Sequence, residues 1–436
     1  MIRWTKEAEI GQPYWWDALE EVPLADMLPD SCDLLVIGGG YTGLSAAIAA
    51  HDCGARIVVV DAGEPGKGAS TRNGGMVGAH PRLGWDRLKR DYGADTADAL
   101  FAEAAPALDW AREFIRHEEI ACDLQETGRI QLAWTKPHFE SQKRLVRHLQ
   151  DKTAVRVRLV ERDDLAAEIV TERYFGGFVL EQHCGLHPAR YHQGMLRAAL
   201  RRGIPVLAQA RVGRLERDGA GFVAQTARGN IRAGKVLLAT NGYTGKPFGA
   251  YARRVFPLPS FLIATEELPA TLIDEIAPGR RMMVETRARH SYYRVSPDGK
   301  RILFGGRAAM VDVDLTKAAA RLRAMMCSIW PQLEETRLSH VWTGYTGFSF
   351  AQMPNVGEDR GLHHAMGYSG SGTVLAPYLG AKAAWQAMGD PRGETAYCET
   401  RLPANPVHPG GRPHFLKAVD LWYRTWIDGW ENRRAR

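Results

Sequence analysis

Three glycine-dense segments of this chain have the residue types and spacing to cradle a phosphorylated, planar ligand. The first, Gly38-Gly-Gly40-Tyr-Thr-Gly43, follows an unbroken apolar run at 33–37 and opens a stretch of small residues. In a G-x-G-x-x-G spacing the first glycine permits a tight turn and the second lets backbone approach a pyrophosphate. The third lets a helix sit close on a strand, with its N-terminal N–H groups facing the anion. Asp61 ends the next apolar run, where a carboxylate accepts hydrogen bonds from a ribose diol and repels a 2′-phosphate. Gly38, Gly40, Tyr41, Thr42, Gly43, Asp61 and Ala62 are therefore expected to contact a dinucleotide. FAD and NAD share this unit, so the choice between them rests on the rest of the chain.

The second segment, Gly66-Lys-Gly-Ala-Ser-Thr-Arg-Asn-Gly-Gly75, lets backbone pass close to a flat ligand while offering polar contacts. It places Gly68, Ala69, Ser70, Thr71, Arg72, Asn73, Gly74, Gly75 and Met76 on the list of cofactor contacts. The third, Met366-Gly-Tyr-Ser-Gly-Ser-Gly-Thr373, runs into a helical pattern at 374–388. N–H groups of Gly370, Ser371, Gly372 and Thr373 at that helix start would stabilise negative charge at the N1/C2=O edge of a reduced flavin. Together these two segments favour FAD over a nicotinamide. Tyr292, Tyr293, Arg294, Arg307, Trp342 and Tyr345 are the candidate walls of a substrate pocket, with Arg307 suited to hold a carboxylate bidentately. The sequence shows no Ser-His-Asp set and no P-loop. His183 and His187 have helical i,i+4 spacing, but Gly185 and Pro188 argue against a helix there, so no metal site is expected.

These segments need elements to position them. Residues 33–37 read as a strand buried on both faces, 42–52 as a helix of small residues ended by Gly54, and 56–60 as a second strand, which makes a βαβ unit. Residues 191–202 read as a helix, 205–207 as a strand, 212–226 as hairpins turning at Gly219 and Gly221, and 235–239 as a buried strand ending at Thr240-Asn241-Gly242. Segments 85–117 and 139–150 are amphipathic and helical. Residues 292–306 form a hairpin pattern turning at Pro297-Asp298-Gly299. The fold class is thus α/β, with a Rossmann-type nucleotide domain and an interleaved α+β substrate domain. The expected division gives 1–90, 185–250 and 340–395 to the nucleotide domain, 91–184 and 251–339 to the substrate domain, and 396–436 to a helical tail. Along that tail Trp422, Trp426 and Trp430 share one helical face near Arg424 and Arg433, a stripe expected to pack on its own chain or on a second subunit rather than on a membrane.

Composition narrows the class further. The 436 residues are 45% hydrophobic and 24% charged, enough for two cores or one large composite one. The balance of 56 Lys+Arg against 50 Asp+Glu is spread along the chain, with no basic face for nucleic acid. The 6 cysteines contain no C-x-x-C pair and read as reduced thiols. The first 30 residues hold no signal-peptide core and no run is long enough to span a membrane, so a cytoplasmic location is expected.

Taken together, Pro13-Tyr-Trp15, the Gly38–Gly43 fingerprint, Ala69-Ser-Thr-Arg-Asn-Gly-Gly-Met76, Ala239-Thr-Asn-Gly242, Phe304-Gly-Gly-Arg307 and the 367–373 turn resemble the amino-acid-oxidase-like FAD family. That family includes glycine oxidase, sarcosine oxidase and D-amino-acid oxidase. Within it the chain looks most similar to the gamma-glutamylputrescine oxidoreductases, over nearly its whole length. The resemblance implies FAD bound extended across the nucleotide domain. Gly38, Gly40 and Gly43 would meet the pyrophosphate, Asp61 the adenosine ribose and Val212 the adenine. Ser70, Arg72, Asn73 and Gly74 would lie beside the flavin ring, Gly370 to Thr373 would cover its pyrimidine edge, and Thr240, Asn241, Gly242 and Gly344 complete the cofactor contacts. The reacting centre would use Arg72, Asn73, Tyr293, Arg307 and Trp342.

The activity implied is oxidation of the C–N bond of an amine, either a gamma-glutamyl amine or an N-substituted amino acid. Hydride would pass to flavin N5, leaving an imine that water hydrolyses. Two departures from the sarcosine oxidases stand out. Their cysteine that holds flavin covalently has no counterpart near 342–345, so FAD is expected to be dissociable. Their oxygen-promoting lysine falls among Ile302, Leu303 and Phe304, with Lys300 nearby in the turn, which leaves oxygen or another electron acceptor open. A homo-oligomer is also left open. The rival readings are a nicotinamide-dependent dehydrogenase, a non-catalytic flavin-binding protein, and a flavoprotein of tRNA modification or halogenation.

Overall fold

Short β-branched runs without polar interruption settle into strands covered on both faces. In the computed structural model, which describes residues 2–153, 155–427 and 429, Ile57–Val60 is such a strand, and Ser31–Ile37, buried without interruption from Leu34 on, pairs parallel with it, Ile37 opposite Val60. They sit in an eight-stranded sheet that runs Val212–Asp218, Gly221–Thr226, Gly229–Leu238, Ser31–Ile37, Ile57–Val60, Val206–Leu207. Leu362–Met366 and Asn355–Asp359 are attached beside Gly229–Leu238. The parallel centre of this sheet is the nucleotide-binding scaffold expected from the first fingerprint.

The helix Tyr41–His51 leaves the first strand directly. A Cβ on Gly43 would collide with the Gly38 carbonyl oxygen, so this helix start can approach the strand only as glycine. On its other side packs Gly372–Met388, where Gly380 lies against the Thr42 backbone for the same reason. Ser45 Oγ donates to the Pro377 carbonyl at 2.7 Å, a polar tie within an otherwise apolar helix pair.

The second sheet has nine strands in the order Trp4–Ile10, Leu338–Ser349, Val255–Thr265, Ile302–Gly306, Ser291–Val295, Met282–Glu285, Arg129–Leu132, Gly177–Leu180, Val157–Val160. The hairpin read at 292–306 is its centre, with Tyr293 opposite Phe304. Two strands sit differently from the expected division. Trp4–Ile10 and all of Leu338–Ser349 but its first two residues fall within 1–90 and 340–395, the expected nucleotide segments, yet they pair with each other and extend the nine-stranded sheet. Trp4–Ile10 carries too little apolar sequence to reveal its partner in advance.

The amphipathic segment 85–117 is helical in three pieces. It breaks into Trp85–Tyr92, Ala94–Ala102 and Ala104–His117, the first break at Gly93 with φ +93°. In the tail, Leu416–Trp422 buries Leu416 and Asp420, while Trp422 and Trp426 are 52% and 71% exposed. The tryptophan stripe therefore does not pack on its own chain at those two positions, and Trp430 and Arg433 lie outside the described residues. No helix among the described residues is long and apolar enough to cross a membrane.

Candidate functional site

The carboxyl ends of the parallel strands open onto a cleft of about 600 Å³. Gly38, Gly40, Tyr41, Thr42, Asp61, Ala62, Gly68, Ala69, Ser70, Asn73, Val212, Thr240, Asn241, Gly370, Gly372 and Thr373 all line it. Gly38 holds φ at +112°, and a Cβ on Gly40 would come within 2.9 Å of Ser70 Oγ. That hydroxyl accepts the Tyr41 N–H at 3.0 Å, so the first glycine turn and the second loop form one continuous cradle. Asp61 accepts the N–H groups of Gly39 at 2.8 Å and Gly63 at 2.9 Å. Burial raises its carboxyl above the ordinary value while these N–H groups pull the other way. Behind the cleft, His192 Nε2 meets the Gly39 carbonyl at 2.7 Å, and a Cβ on Gly66 would strike the same imidazole. Gly43, Thr71, Gly75 and Gly242, expected as contacts, line neither cavity and serve as close-packed backing. Thr71 Oγ1 donates to Gly66 O at 2.8 Å, and a Cβ on Gly242 would come within 2.9 Å of Gly347 Cα.

Three indoles brace the second loop from outside. Trp15 Nε1 donates to the Asn73 carbonyl at 2.8 Å, Trp16 Nε1 to Thr71 Oγ1 at 2.9 Å, and Trp342 Nε1 to the Arg72 carbonyl at 3.0 Å. Inside the loop, Asn73 donates to the Ala69 and Ser70 carbonyls and accepts the Gly75 N–H. Arg72 donates to the carbonyls of Lys67, Gly11 and Thr343 and stacks on Trp16. The Pro13-Tyr-Trp15 segment thus has a physical role, which is to fix this loop.

A second cavity of about 500 Å³ lies against the nine-stranded sheet. It shares Ala69, Asn73, Thr346, Gly370 and Thr373 with the first cleft, so the two are continuous. Arg72, Gly74, Met76, Gly344 and Ser371, expected as cofactor contacts, line this side, as do Arg307, Tyr292 and Tyr345. Tyr293, Arg294 and Trp342 do not. Tyr293 stacks on Phe304 in the core and hydrogen-bonds Tyr174 at 2.7 Å, because the strand alternation turns Tyr292 toward the cavity and Tyr293 away. Arg294 is buried under the Gly75 and Leu186 carbonyls, and Trp342 acts through the loop it braces. The Tyr292 ring packs over Gly74 and Gly305, with its hydroxyl 2.8 Å from Ser260 Oγ. His187 caps the helix Pro188–Arg201 instead of ligating, and no group of side chains suited to a metal occurs among the described residues.

The comparisons with known proteins meet this geometry. A family model described as "FAD dependent oxidoreductase" matches residues 33–385. The chain belongs to this family. It is 30% identical over 431 residues to the probable oxidoreductase OrdL of Rhizobium meliloti (strain 1021), covering 97% of this chain and 99% of that one. It is 29% identical over 386 residues to the gamma-glutamylputrescine oxidoreductase of Escherichia coli (strain K12), covering 88% and 89%. The crystal structure of glycine oxidase from Geobacillus kaustophilus superposes with a TM-score of 0.70 at 19% identity, covering 87% of this chain and 99% of that one. The enzyme is therefore an FAD-dependent oxidoreductase with a glycine-oxidase-like fold.

The residues present fit FAD. The glycine cradle leaves no room for side chains where a pyrophosphate must pass, Asp61 is among the residues that line the cleft, and Gly370 and Thr373 at the start of Gly372–Met388 line both cavities. None of the 6 cysteines lines either cavity. Ile302, Leu303 and Phe304 are all buried, while Lys300 lies 3.6 Å from Glu267 in the turn.

Sequence reasoning missed the charge of the inner cavity. Besides Arg72 and Arg307 its wall holds Arg82, Arg129 and Arg287, with His80 and His290. Glu285 is the one acidic side chain there among the described residues, and it is engaged by Arg287 and Tyr174. Burial first, then the surrounding arginines, hold His290 well below its ordinary range, and His80 is pushed to about 3 by burial and Arg129. Burial lowers Arg129 and Arg307 to about 10, which leaves both protonated at neutral pH. The alternation in Arg129-Ile-Gln131-Leu132 was a usable signal, since Arg129 and Gln131 share a strand face. Arg82 sits in a loop with no pattern to read.

Proposed function

We propose that this enzyme oxidises the C–N bond of an amine that also carries a carboxylate, a gamma-glutamyl amine or an N-substituted amino acid. The product is an imine that water hydrolyses to a carbonyl compound and an amine. The observation that carries the reading is Arg307. Its guanidinium lies over the Phe348 ring at a cavity continuous with the FAD cleft, and it has no hydrogen-bond partner among the described residues. FAD, when bound, supplies the two-electron oxidant for the carbon that bears the nitrogen. The eight-stranded sheet then holds the cofactor and the nine-stranded sheet the substrate.

The chain's own part is positioning and charge. Arg307 fixes the carboxylate, and the Tyr292 ring limits where the carbon chain lies above Gly74. A cavity lined by arginines disfavours an ammonium ion, so the substrate nitrogen is held in its neutral, oxidisable form without a dedicated base. The relatives named for gamma-glutamylputrescine and glycine support the amine class. The test is anaerobic mixing of the holoenzyme with gamma-glutamyl amines, N-methyl amino acids, D-amino acids and free polyamines while the flavin absorption is followed. Bleaching by a carboxylate-bearing amine and not by free polyamines is expected. A flavin that no amine bleaches returns the case to a non-catalytic flavoprotein. Readmitting air then separates oxygen, by fast recovery, from another acceptor.

A further inference from the structure

The inner cavity holds more positive charge than one carboxylate can balance. Arg287 is paired with Glu285, and Arg72 is turned into backbone carbonyls. Three arginines remain on the wall with no carboxylate partner among the described residues. Arg82 gives one hydrogen bond, to the Ser369 carbonyl at 3.1 Å, and lies over the Phe348 ring that also carries Arg307. Arg129 gives Nη2 to His80 Nε2 at 2.9 Å, and its buried Nε has no partner.

These three form two poles. Arg82 and Arg307 flank one phenyl ring. Arg129 stands on the strand Arg129–Leu132, separated from Ile302–Gly306, which Arg307 follows, by Ser291–Val295 and Met282–Glu285. Three inter-strand steps put the parent strands about 14 Å apart, and the register carries Arg129 through Met282 and Arg294 to the level of Leu303, four residues along the sheet from Arg307, so the two stand at separate ends of the one cavity that both line. Guanidiniums held in such a space without counter-charge are costly, and fixed carboxylates of the protein do not relieve them there.

On the reading of this site as that of an amine oxidoreductase, we infer that its substrate carries two anionic groups, one held by Arg307 with Arg82 and the other by Arg129. The substrate class is then an amino dicarboxylate, with the oxidisable nitrogen between or beside the two carboxylates. A single carboxylate occupies the first pole and leaves Arg129 with only a neutral imidazole.

The test uses the FAD-loaded enzyme and unreactive ligands. Aliphatic dicarboxylates of increasing length and monocarboxylates of matched length are titrated in, and the shift of the flavin absorption gives each Kd. One dicarboxylate length is expected to bind roughly tenfold or more tighter than its monocarboxylate, the order of one charge-assisted contact. Arg129→Gln should bring that dicarboxylate down to the monocarboxylate's affinity and leave the monocarboxylate unchanged, with Arg129→Lys keeping part of the preference. A dicarboxylate series that binds no tighter than the monocarboxylates overturns the inference on the wild-type enzyme alone. Equal weakening of both ligands by Arg129→Gln overturns the assignment of the second pole. The amine-bleaching assay reads the reaction independently. A preference for dicarboxylates without bleaching by any amine sinks the amine reading while the two-anion site stands.

Discussion

At the scale of single residues the site separates groups that touch ligand from groups that hold other groups in place. Arg307 is proposed as one of the first kind. Arg307→Ala should raise KM for a carboxylate-bearing amine by tenfold or more, the order of a lost charge-assisted pair, with FAD content unchanged. An unchanged KM would remove Arg307 from the substrate. Gly43 belongs to the second kind. Gly43→Ala sets a methyl against the Gly38 carbonyl oxygen, so the helix Tyr41–His51 must shift off its strand. The expected outcome is apo-protein with little bound FAD, checked by the ratio of flavin to protein absorbance after purification. Full FAD occupancy in that variant would show that the helix start tolerates displacement. The glycine turns were legible in the sequence because their requirement is a backbone one and leaves a residue signature. The face on which Tyr292 and Tyr293 point was not, since adjacent tyrosines on a strand look alike until the sheet supplies an inside.

At the scale of elements, the structure explains two segments that carry no cofactor motif. The first turn, Tyr14–Ala18, places Trp15 and Trp16 on the loop that carries Asn73 and Thr71. The tail helix Leu416–Trp422 and the turn Tyr423–Ile427 lie beyond the family match, which ends at 385. They nevertheless pack beside the arginine-lined cavity. Asp420 is buried, accepts the Met310 N–H at 2.8 Å and pairs with Arg424 at 3.1 Å. Leu416 packs with Phe256, Leu258, Met310 and Phe348, and Tyr423 lies within electrostatic reach of Arg82 and Arg307. Truncation after Pro413 is therefore expected to keep FAD bound but to lower kcat/KM several-fold, by opening the arginine wall to water. Unchanged kinetics in the truncated enzyme would mean the tail is a passenger on that wall. The sequence suggested an amphipathic tail but assigned its buried face to tryptophans. Leu416, Asp420 and Tyr423 are the residues turned inward, because the aromatic patch around Phe348 and Phe350 that receives them comes from distant parts of the chain.

At the scale of the whole molecule, the buried histidines couple the two sheets to pH. Burial lowers His187, His192, His363 and His364 to about 4 and His80 to about 3, and holds His183 and His290 well below the ordinary value. A free histidine titrates near 6.5. Above that pH neither the folded nor the unfolded chain carries these protons, and the groups do not tilt the balance. As pH falls below about 6.5 the unfolded chain takes up protons that the folded chain refuses. Each such histidine then removes about 1.4 kcal/mol of stability per pH unit, down to its own folded value. Stability should accordingly be flat near pH 7 to 8 and fall steeply between about 6 and 4. His192 gives this loss a local address, because its neutral ring sits between Gly39 and Gly66, the two turns that shape the FAD cleft. Acidification should therefore release FAD in the same transition that unfolds the chain. With no cysteine on either cavity the released flavin should be free and pass a filter that retains the protein. Thermal unfolding followed together with flavin fluorescence at stepped pH checks both parts. Coincident transitions that move down together below pH 6 are expected. A melting point unchanged from pH 7 to pH 5 would show that the histidines acquire protons within the fold without cost, and flavin retained on the unfolded chain would show a covalent link made through a side chain other than cysteine.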